Sequence, residues 1–281
     1  MIHLRAKPVL EIRRSALRER VAERVASGLR PPKLCVILVG DHPASQIYVS
    51  RKEKMAGLVG FDRETLRFPE NVSPDEVRLR VSALNEDPSV DGILIQRPLP
   101  PSFLEKDVCL WVSPEKDVDC LHPENMGLLL TGNPRFLPCT PGGILLLLDH
   151  YGLSVAGKTA CVIGRSLIVG KPLAALLLSR NASVIQIHRQ TPEPQALCRL
   201  ADFVFVAAGA QGLIRKDWIR PGAVVVDVGI HRLPDGRITG DVDCESVGES
   251  PSALTPVPGG VGPMTIQVLL ENTFTSSMRK S

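Results

Sequence analysis

A tyrosine and a lysine, Tyr48 and Lys52, stand four residues apart in a segment whose pattern predicts a helix over residues 44–58. That spacing places both side chains on one face of the helix, where the phenol can orient the amine and help to transfer its proton. A lysine that is desolvated, or that lies near another cation, loses its proton more easily and becomes a usable base. The same residues also fit a solvated face, because Arg51 and Lys54 flank Lys52. The pair alone leaves both interpretations open.

Two further polar residues lie near the ends of predicted elements, where α/β proteins bind their ligands. Gln96 closes a predicted strand over residues 92–96, and its amide can hydrogen-bond both an amine and a carbonyl. Asp119 lies between a short predicted helix and a loop. A carboxylate that accepts from two adjacent N–H groups is what recognition of an aminopyrimidinone edge requires. Either residue alone also fits an ordinary polar group of the surface.

A glycine-rich turn runs from Gly164 to Pro172, between a predicted strand and a predicted helix. Such a turn directs backbone N–H groups and the positive end of the helix towards a phosphate. Two phosphate-binding patterns fit incompletely. Five residues instead of four separate Gly164 from Gly170, and Ser166 stands where the dinucleotide pattern has its second glycine. Pro172 suits the first helical position, and a purely structural turn is the alternative.

The strand that follows this turn ends in residues 188–191, His-Arg-Gln-Thr, which include no acid. NAD-binding domains usually carry Asp or Glu at this point to bind the ribose 2′-hydroxyl, whereas a guanidinium suits a 2′-phosphate. Arg189, together with Arg165 in the preceding turn, therefore predicts NADP rather than NAD. The alternative is that Arg189 is a solvated loop residue.

Short aliphatic runs alternate with helical segments in two series along the chain. Strands are predicted at residues 34–40, 64–68, 92–96, 159–163, 183–188, 202–208 and 223–228. Continuous apolar strands with intervening crossovers indicate parallel sheets covered on both faces. We therefore expect two α/β domains, the second a Rossmann-like NAD(P)-binding domain. The expected boundaries are 1–140 for the first domain and 141–264 for the second.

The composition disfavours several classes of protein. The net charge of +3 is dispersed along the chain and aromatic residues make up 4% of it, which disfavours a nucleic-acid partner. The aliphatic runs are too short to span a bilayer, and the N-terminus has no signal-peptide core. We therefore expect a cytoplasmic protein with no membrane partner. The seven cysteines form no C-x-x-C pair, so we expect buried free thiols and no metal site.

The run Thr255–Thr265, TPVPGGVGPMT, combines three prolines with three glycines and leads into an apolar helix. The prolines fix φ and remove backbone donors, while the glycines permit φ > 0 and let a ligand approach the main chain. A linker would normally carry Ser, Lys or Glu instead. The composition favours a rigid loop against a flat ligand, with a stiff connecting loop as the alternative.

Seven segments, in order over nearly the whole chain, resemble the motifs of the bifunctional methylenetetrahydrofolate dehydrogenase/methenyltetrahydrofolate cyclohydrolase family. They are Ser45–Lys52 (SQIYVSRK), Gly92–Pro100 (GILIQRPLP), Pro114–Asp119 (PEKDVD), Pro138–Pro141 (PCTP), Gly164–Pro172 (GRSLIVGKP), Gly240–Val242 (GDV) and the Thr255–Thr265 run. The resemblance implies oxidation of 5,10-methylenetetrahydrofolate to the methenyl cation with NADP, and hydrolysis of that cation to 10-formyltetrahydrofolate. It also implies a cleft between the two domains, with the C-terminal helix 265–281 packing back on the first. Further implications are tetrahydrofolate derivatives as ligands, a homodimer, and chemistry that needs no metal.

The resemblance also assigns roles to individual residues. Lys52 would be the proton-transfer group of the hydrolytic step, with Tyr48 and Gln96 setting its position and protonation. Asp119 would hold the pterin ring, which completes the expected catalytic set. The expected substrate-binding residues are Tyr48, Lys52, Gln96, Pro98, Leu99, Asp119, Pro258, Gly259, Gly260 and Pro263. The expected cofactor-binding residues are Gly164, Arg165, Ser166, Ile168, Val169, Gly170, Pro172, His188, Arg189 and Ile230.

The chain departs from the family pattern at a few positions. These are Arg97 after Gln96, Cys120 after Asp119, Leu128 where arginine is common, and Arg5-Ala6 before Lys7. Cys120 replaces a usual glycine, so a positive φ at this position would be strained by the side chain. Two alternatives stay open: a dehydrogenase with weak or lost cyclohydrolase activity, and a non-catalytic dinucleotide-binding paralogue. Retention of the expected catalytic set argues against both.

Overall fold

The computed structural model describes residues 1–103 and 108–279, which form two compact units. The three-stranded unit comprises Ile12–Cys139 and Ile266–Ser281, and the six-stranded unit comprises Met1–Glu11 and Thr140–Thr265. Residues 280 and 281 of the predicted C-terminal helix lie outside the described part. Within that part, no helix is both long enough and apolar enough to cross a membrane.

The predicted alternation of strands and helices is confirmed. The strands are β1 (Ile2–His3), β2 (Lys33–Val39), β3 (Asp62–Phe68), β4 (Gly92–Ile95), β5 (Thr159–Ile163), β6 (Ser183–Ile187), β7 (Phe203–Val206), β8 (Val224–Asp227), β9 (His231–Arg232), β10 (Ile238–Thr239) and β11 (Ala253–Leu254). The helices are α1 (Ala6–Ala26), α2 (Pro43–Leu58), α3 (Pro74–Glu86), α4 (Pro123–Leu130), α5 (Cys139–His150), α6 (Gly170–Ser179), α7 (Pro194–Cys198), α8 (Cys244–Val247) and α9 (Val261–Met278). Each predicted strand is present, with ends within two residues of the prediction.

The three-stranded unit is built on a parallel sheet in the order β3-β2-β4. The central strand is buried on both faces, and Ile37, Val81 and Ile93 belong to the core beside it. Helix α3 begins as the sequence predicts, because the Ser73 hydroxyl accepts from the backbone N–H of Asp75 at 3.3 Å. Since the strands are parallel, the loops after β2, β3 and β4 lie at one edge of the sheet.

The six-stranded unit has a parallel sheet in the order β1-β11-β8-β7-β5-β6. Strand β5 lies between β6 and β7, and the aliphatic residues of β5, β7 and β8 form a core with Cys198 and Ile214. The carboxyl ends of β5, β6, β7 and β8 therefore share one edge. In open α/β sheets this edge is where ligands bind.

The first eleven residues belong to the six-stranded unit and not to the first predicted domain. Strand β1 pairs in parallel with β11, and the backbone N–H of Leu4 donates to the carbonyl of Leu254 at 2.9 Å. The pairing partner is about 250 residues away, and a strand of two residues has no distinct sequence pattern. The chain passes from the three-stranded unit to the six-stranded unit between Cys139 and Thr140.

Candidate functional site

Lys52 lies on the buried face of α2 and not on its solvated face. The buried residues of this helix are Ser45, Val49, Lys52 and Ala56, which follow the helical period. Lys52 is 8% exposed, whereas Arg51 and Lys54 are exposed. The solvated-face interpretation is therefore wrong for Lys52, although it holds for its two basic neighbours.

A hydrogen bond between two buried side chains fixes the amine. Nζ of Lys52 donates to Oε1 of Gln96 at 2.8 Å. Nε2 of Gln96 donates to the carbonyl of Arg97 at 2.5 Å, so the amide oxygen is the atom that faces the lysine. The backbone N–H of Gln96 donates to the carbonyl of Ile37 at 2.8 Å, which ties this residue to the sheet. The sheet therefore positions Gln96, and Gln96 positions the amine of Lys52.

Burial lowers the pKa of Lys52, because the charged ammonium is removed from water. The negative charge of Asp119 and the thiol of Cys139 act in the opposite direction, and burial is the largest of these effects. Lys52 therefore loses its proton more easily than a lysine exposed to solvent. This side chain is suited to accept a proton during a reaction.

Tyr48 lies one helical turn before Lys52 and is half-buried. Burial raises the pKa of its phenol, and the charge of Arg51 opposes that effect. The hydroxyl therefore keeps its proton at neutral pH. It can donate or accept a hydrogen bond as a neutral group, which suits a role in orienting a ligand or the amine.

Asp119 and Cys139 form the electrostatic surroundings of Lys52. Asp119 is half-buried, and the thiol of Cys139 donates to the carbonyl of Val118 at 3.3 Å. Burial and the charge of Asp119 raise the pKa of Cys139 well above its usual value. This thiol therefore stays neutral. The sequence interpretation did not place Cys139 at the site, although the Pro138–Pro141 motif contained the signal.

The loop that carries Asp119 is held by a second, buried carboxylate. Oδ2 of Asp117 accepts from the backbone N–H of His122 and from Nδ2 of Asn125, each at 2.8 Å. Burial raises the pKa of Asp117, and these hydrogen bonds act against that rise. Asp117 thus organises the chain on both sides of Asp119 and is a further residue that sequence reasoning did not single out.

Cys120 adopts the left-handed conformation, with φ of 60°. The sequence expectation that a positive φ here would strain a side chain therefore applies. The residue is fully buried, and its thiol donates to the carbonyl of Phe136 at 3.4 Å. Burial and this contact offset part of the backbone strain.

Pro98 and Leu99 line an open pocket of about 510 Å³ in the three-stranded unit. The other lining residues are the last residue of β2 and residues that follow β2, β3 and β4: Val39, Gly40, Asp41, His42, Glu70, Pro100 and Pro101. The pocket therefore lies at the edge formed by the carboxyl ends of the strands, where the sequence predicts a ligand.

The turn after β5 packs too tightly for any residue except glycine at two positions. A Cβ at Gly164, where φ is 117°, would overlap the carbonyl oxygen of Ala207. A Cβ at Gly170 would overlap the carbonyl oxygen of Gly164. These contacts match the roles of the first and third glycines in a dinucleotide-binding turn: a tight bend, and close packing of helix on strand. The turn performs these roles although its spacing departs from the usual pattern.

Ser166 holds the backbone just before the helix that follows this turn. Its hydroxyl accepts from the backbone N–H groups of Val169 and Gly170, at 3.1 and 3.4 Å. Helix α6 begins at Gly170, so Pro172 is its third residue. The prediction that Pro172 occupies the first position of the helix is therefore wrong. The third position still suits proline, because the first four N–H groups of a helix have no partner within it. Arg165, Ser166 and Ile168 are exposed and Val169 is half-buried.

The end of β6 presents Arg189 to solvent. The turn is closed by His188, whose backbone N–H donates to the Thr191 hydroxyl at 2.9 Å and whose Nδ1 accepts from the N–H of Gln190 at 3.3 Å. Arg189 is exposed between these contacts. Because β6 is the neighbour of β5, this turn and the Gly164 turn lie at the same edge of the sheet.

The proline- and glycine-rich run forms a tight loop in the six-stranded unit. Gly259 has a φ of 106°, and a Cβ at Gly260 would lie 2.7 Å from the carbonyl oxygen of Pro256. Pro258 precedes these glycines, and Pro263 falls in the first turn of α9. Ile230 is 49% exposed, and its Cδ1 lies 3.6 Å from where a Cβ of Gly262 would be. The loop is closely packed, and Ile230 lies beside it.

The predicted site residues fall into two groups. Tyr48, Lys52, Gln96, Pro98, Leu99 and Asp119 belong to the three-stranded unit. The predicted cofactor-binding residues, together with Pro258, Gly259, Gly260 and Pro263, belong to the six-stranded unit. The first unit therefore carries the polar groups suited to proton transfer, and the second carries the turn suited to a dinucleotide.

Comparison with known proteins gives consistent matches for both units. Residues 4–119 match the family profile "Tetrahydrofolate dehydrogenase/cyclohydrolase, catalytic domain", and residues 138–281 match "Tetrahydrofolate dehydrogenase/cyclohydrolase, NAD(P)-binding domain". A relative from Streptococcus equi subsp. zooepidemicus, named bifunctional protein FolD, is 45% identical over 274 residues, which cover 98% of this chain and 96% of the relative.

Two solved structures extend the similarity to the fold. The bifunctional enzyme FolD from Campylobacter jejuni, a methylenetetrahydrofolate dehydrogenase/cyclohydrolase, has a TM-score of 0.97 and 42% identity, with both chains covered completely. The Trypanosoma brucei enzyme FolD, solved with NADP and an inhibitor, has a TM-score of 0.94 and 36% identity, with 99% of this chain and 98% of that chain covered.

Proposed function

Because this chain belongs to the tetrahydrofolate dehydrogenase/cyclohydrolase family, we propose that it oxidises 5,10-methylenetetrahydrofolate with NADP and hydrolyses the methenyl product to 10-formyltetrahydrofolate. The observation that carries this function is the buried amine of Lys52, held on Gln96 at 2.8 Å with a lowered pKa. Hydrolysis of a methenyl cation requires a group that can move a proton beside the reacting carbon. Lys52 supplies such a group.

Lys52 first acts as a base in the hydrolytic step. Water adds to the methenyl carbon, and the neutral amine accepts the proton that the water loses. The positive charge of the methenyl substrate favours this neutral form further, since like charges repel. Lys52 then returns its proton to the ring nitrogen as the bond from the carbon to that nitrogen breaks. The hydroxyl proton passes to solvent as the formyl carbonyl forms.

The remaining polar residues of the three-stranded unit would position this chemistry. Gln96 holds the amine through its amide oxygen, and Tyr48 offers a protonated hydroxyl one helical turn away. Asp119, on a loop fixed by Asp117, would accept from the aminopyrimidinone edge of the pterin. Pro98 and Leu99 would form an apolar wall for the ligand, because they line the open pocket of their unit.

The six-stranded unit fits a dinucleotide. The glycine contacts at Gly164 and Gly170 form the tight turn that a pyrophosphate approaches, and exposed Arg165 and Arg189 suit a 2′-phosphate. Ser166, Ile168, Val169, Pro172, His188 and Ile230 complete the proposed cofactor-binding set. NADP held by these residues would supply, at C4 of its nicotinamide ring, the acceptor for the hydride of the methylene carbon.

One assay separates this function from its alternatives. The protein is mixed with methylenetetrahydrofolate and NADP, and the methenyl absorbance and its decay are followed. A rise followed by decay faster than the uncatalysed reaction is expected. A rise with only uncatalysed decay would indicate a dehydrogenase alone, and no rise at all, with NADP still bound, would indicate a non-catalytic paralogue.

Replacement of Arg189 by alanine is expected to reduce selectivity for NADP. A charge-assisted hydrogen bond contributes about 1.5–3 kcal/mol, so kcat/KM with NADP should fall by roughly 10- to 150-fold, while kcat/KM with NAD stays the same. Arg199→Ala is the matched control, because Arg199 is also exposed but follows α7, towards the opposite edge of the sheet. An unchanged NADP/NAD ratio in Arg189→Ala would remove Arg189 from the site.

The family resemblance also supports two proposals about the whole protein. It would pair as a homodimer, with a mass in solution twice the 30.5 kDa of the chain, and it would work in the cytoplasm. Light scattering that returned the mass of a single chain would contradict the first.

A further inference from the structure

A fully buried carboxylate, Asp241, holds the loop after β7. Its Oδ2 accepts from the backbone N–H groups of Ala208 and Gly209, at 2.8 and 2.9 Å. Its Oδ1 accepts from the N–H of Ala210 at 3.0 Å and contacts Nε2 of His231 at 2.6 Å. Asp241 is 0% exposed, so its carboxylate depends on these partners rather than on water. Three consecutive amides thus point at one side chain.

A second buried carboxylate, Asp227, fixes Asp241 in turn. Oδ1 of Asp227 accepts from the backbone N–H of Asp241 at 3.0 Å, and Oδ2 accepts from that of Val242 at 2.9 Å. The N–H of Asp227 donates to the hydroxyl of Thr255 at 2.7 Å. Thr255 begins the proline- and glycine-rich run. The network therefore connects that run, the end of β8 and the loop after β7.

Two glycines show how closely these segments pack. A Cβ at Gly229 would lie 2.5 Å from Asp241, and a Cβ at Gly240 would overlap the carboxylate of Asp227. The backbone at these two glycines therefore packs directly against the carboxylates of Asp241 and Asp227.

The position of this loop indicates which part of a dinucleotide it would meet. Strand β6 carries Arg189 on one side of β5, and β7 lies on the other side. A dinucleotide that spans the Gly164 turn with its 2′-phosphate towards β6 has its nicotinamide half towards β7. The loop at residues 208–210 belongs to that second half.

The hydrogen bonds to Asp241 also determine which backbone groups of the loop point away from this carboxylate. In a trans peptide the N–H of one residue and the carbonyl of the preceding residue point in opposite directions. With the three N–H groups turned onto Asp241, the carbonyls of Ala208 and Gly209 point away from it. Gly209 is exposed, and a Cβ there would meet nothing within 4 Å. The loop therefore offers acceptors to open space.

We propose that Asp241 is a positioning residue for the oxidation, because it orients the Ala208–Ala210 loop so that the outward carbonyls receive donor groups of the nicotinamide half of NADP. The ribose hydroxyls and the carboxamide NH₂ are donors of this kind. This role rests on the proposed function. Asp241 acts through the loop and touches neither substrate nor cofactor.

The variant Asp241→Asn tests this role. The amide keeps the size of the carboxylate but has one acceptor oxygen in place of two, so at least one backbone N–H loses its acceptor. We expect the Kd for NADP to rise at least tenfold and kcat/KM for oxidation to fall by a similar factor. The hydrolysis of supplied methenyltetrahydrofolate without NADP should stay within twofold of the parent.

Asp243→Asn is the matched control. Asp243 lies in the same segment, but its side chain accepts from the N–H of Ser246 and caps α8, so its loss should leave the Kd for NADP unchanged. An equal loss of oxidation and hydrolysis in Asp241→Asn, or an unchanged Kd for NADP, would overturn the role.

A second variant covers the case in which Asp241→Asn does not fold. Gly209→Ala adds a methyl group beside the loop at a φ of 64°, which disfavours a side chain, so it disturbs the loop while Asp241 keeps its carboxylate. It should also raise the Kd for NADP, and an unchanged Kd would overturn the role. Calorimetric titration with NADP makes both results independent of folate turnover. Absence of turnover in the parent would count against the proposed function, while the NADP titration would still decide the role of Asp241.

Discussion

Replacing Lys52 by methionine should abolish the catalysed decay of methenyltetrahydrofolate while oxidation remains measurable. Proton transfer by a positioned side chain typically contributes about 10²- to 10⁴-fold to a rate, so the hydrolytic step should fall by at least about 100-fold. Oxidation needs no proton from Lys52, although loss of the contact with Gln96 should slow it. The measurement is the methenyl absorbance after mixing with methylenetetrahydrofolate and NADP, which should rise and then persist.

Loss of hydrolysis in this variant should not come from unfolding. Burial lowers the pKa of Lys52 below the 10.5 of an unperturbed lysine. At neutral pH the unfolded chain therefore binds this proton more tightly than the folded chain does, which reduces the free energy of unfolding. Methionine removes that penalty but leaves Oε1 of Gln96 without its donor. Because these effects oppose each other, the thermal midpoint should change little. Lys54→Met is the control, since Lys54 is exposed on the same helix and should retain both activities.

Replacing Gly164 by alanine should have its largest effect on oxidation. The added Cβ would overlap the carbonyl oxygen of Ala207, and φ of 117° disfavours any side chain. Overpacking costs about 1–3 kcal/mol in the folded protein. Because NADP would bind the turn in its undisplaced form, binding must restore that form, and the affinity for NADP should fall roughly 5- to 150-fold. The Kd for NADP and the rate of hydrolysis without NADP are the measurements. Hydrolysis should be preserved, because Lys52 and Gln96 belong to the three-stranded unit.

Gly152→Ala separates overlap from backbone strain. Gly152 also has a positive φ, 68°, but a Cβ there would meet nothing within 4 Å. Both variants therefore strain the backbone in the six-stranded unit, and only Gly164→Ala obstructs the turn. Equal Kd values for NADP in the two variants would show that the Gly164 turn is not part of the dinucleotide site.

Much of this fold follows from local patterns in the sequence. Short aliphatic runs at β5, β7 and β8 have the length and composition of buried strands, and each is found where predicted. The burial of Lys52 could also be predicted from the sequence, because Ser45, Val49, Lys52 and Ala56 recur at helical spacing. Local charge misleads at this position, since Arg51 and Lys54 make the same segment look solvated.

Contacts between distant segments explain what the sequence did not predict. The pairing of β1 with β11 joins two-residue strands from opposite ends of the chain. The bonds of Asp241 to Ala208, Gly209 and Ala210 depend on loops that meet only after the sheet has formed. In the sequence, the Gly240–Val242 motif marks Asp241 as a residue of interest but does not reveal its partners.

The pH dependence of methenyl hydrolysis tests most directly whether Lys52 is the proton-transfer group. The neutral amine is the active form, so the catalysed rate should rise with pH and level off at high pH. Burial lowers the pKa of Lys52, so the midpoint of this rise should lie below 10.5. This rise should be absent from Lys52→Met after subtraction of the uncatalysed reaction. A variant that keeps the parental rate, or a rise that survives the substitution, would contradict the assignment.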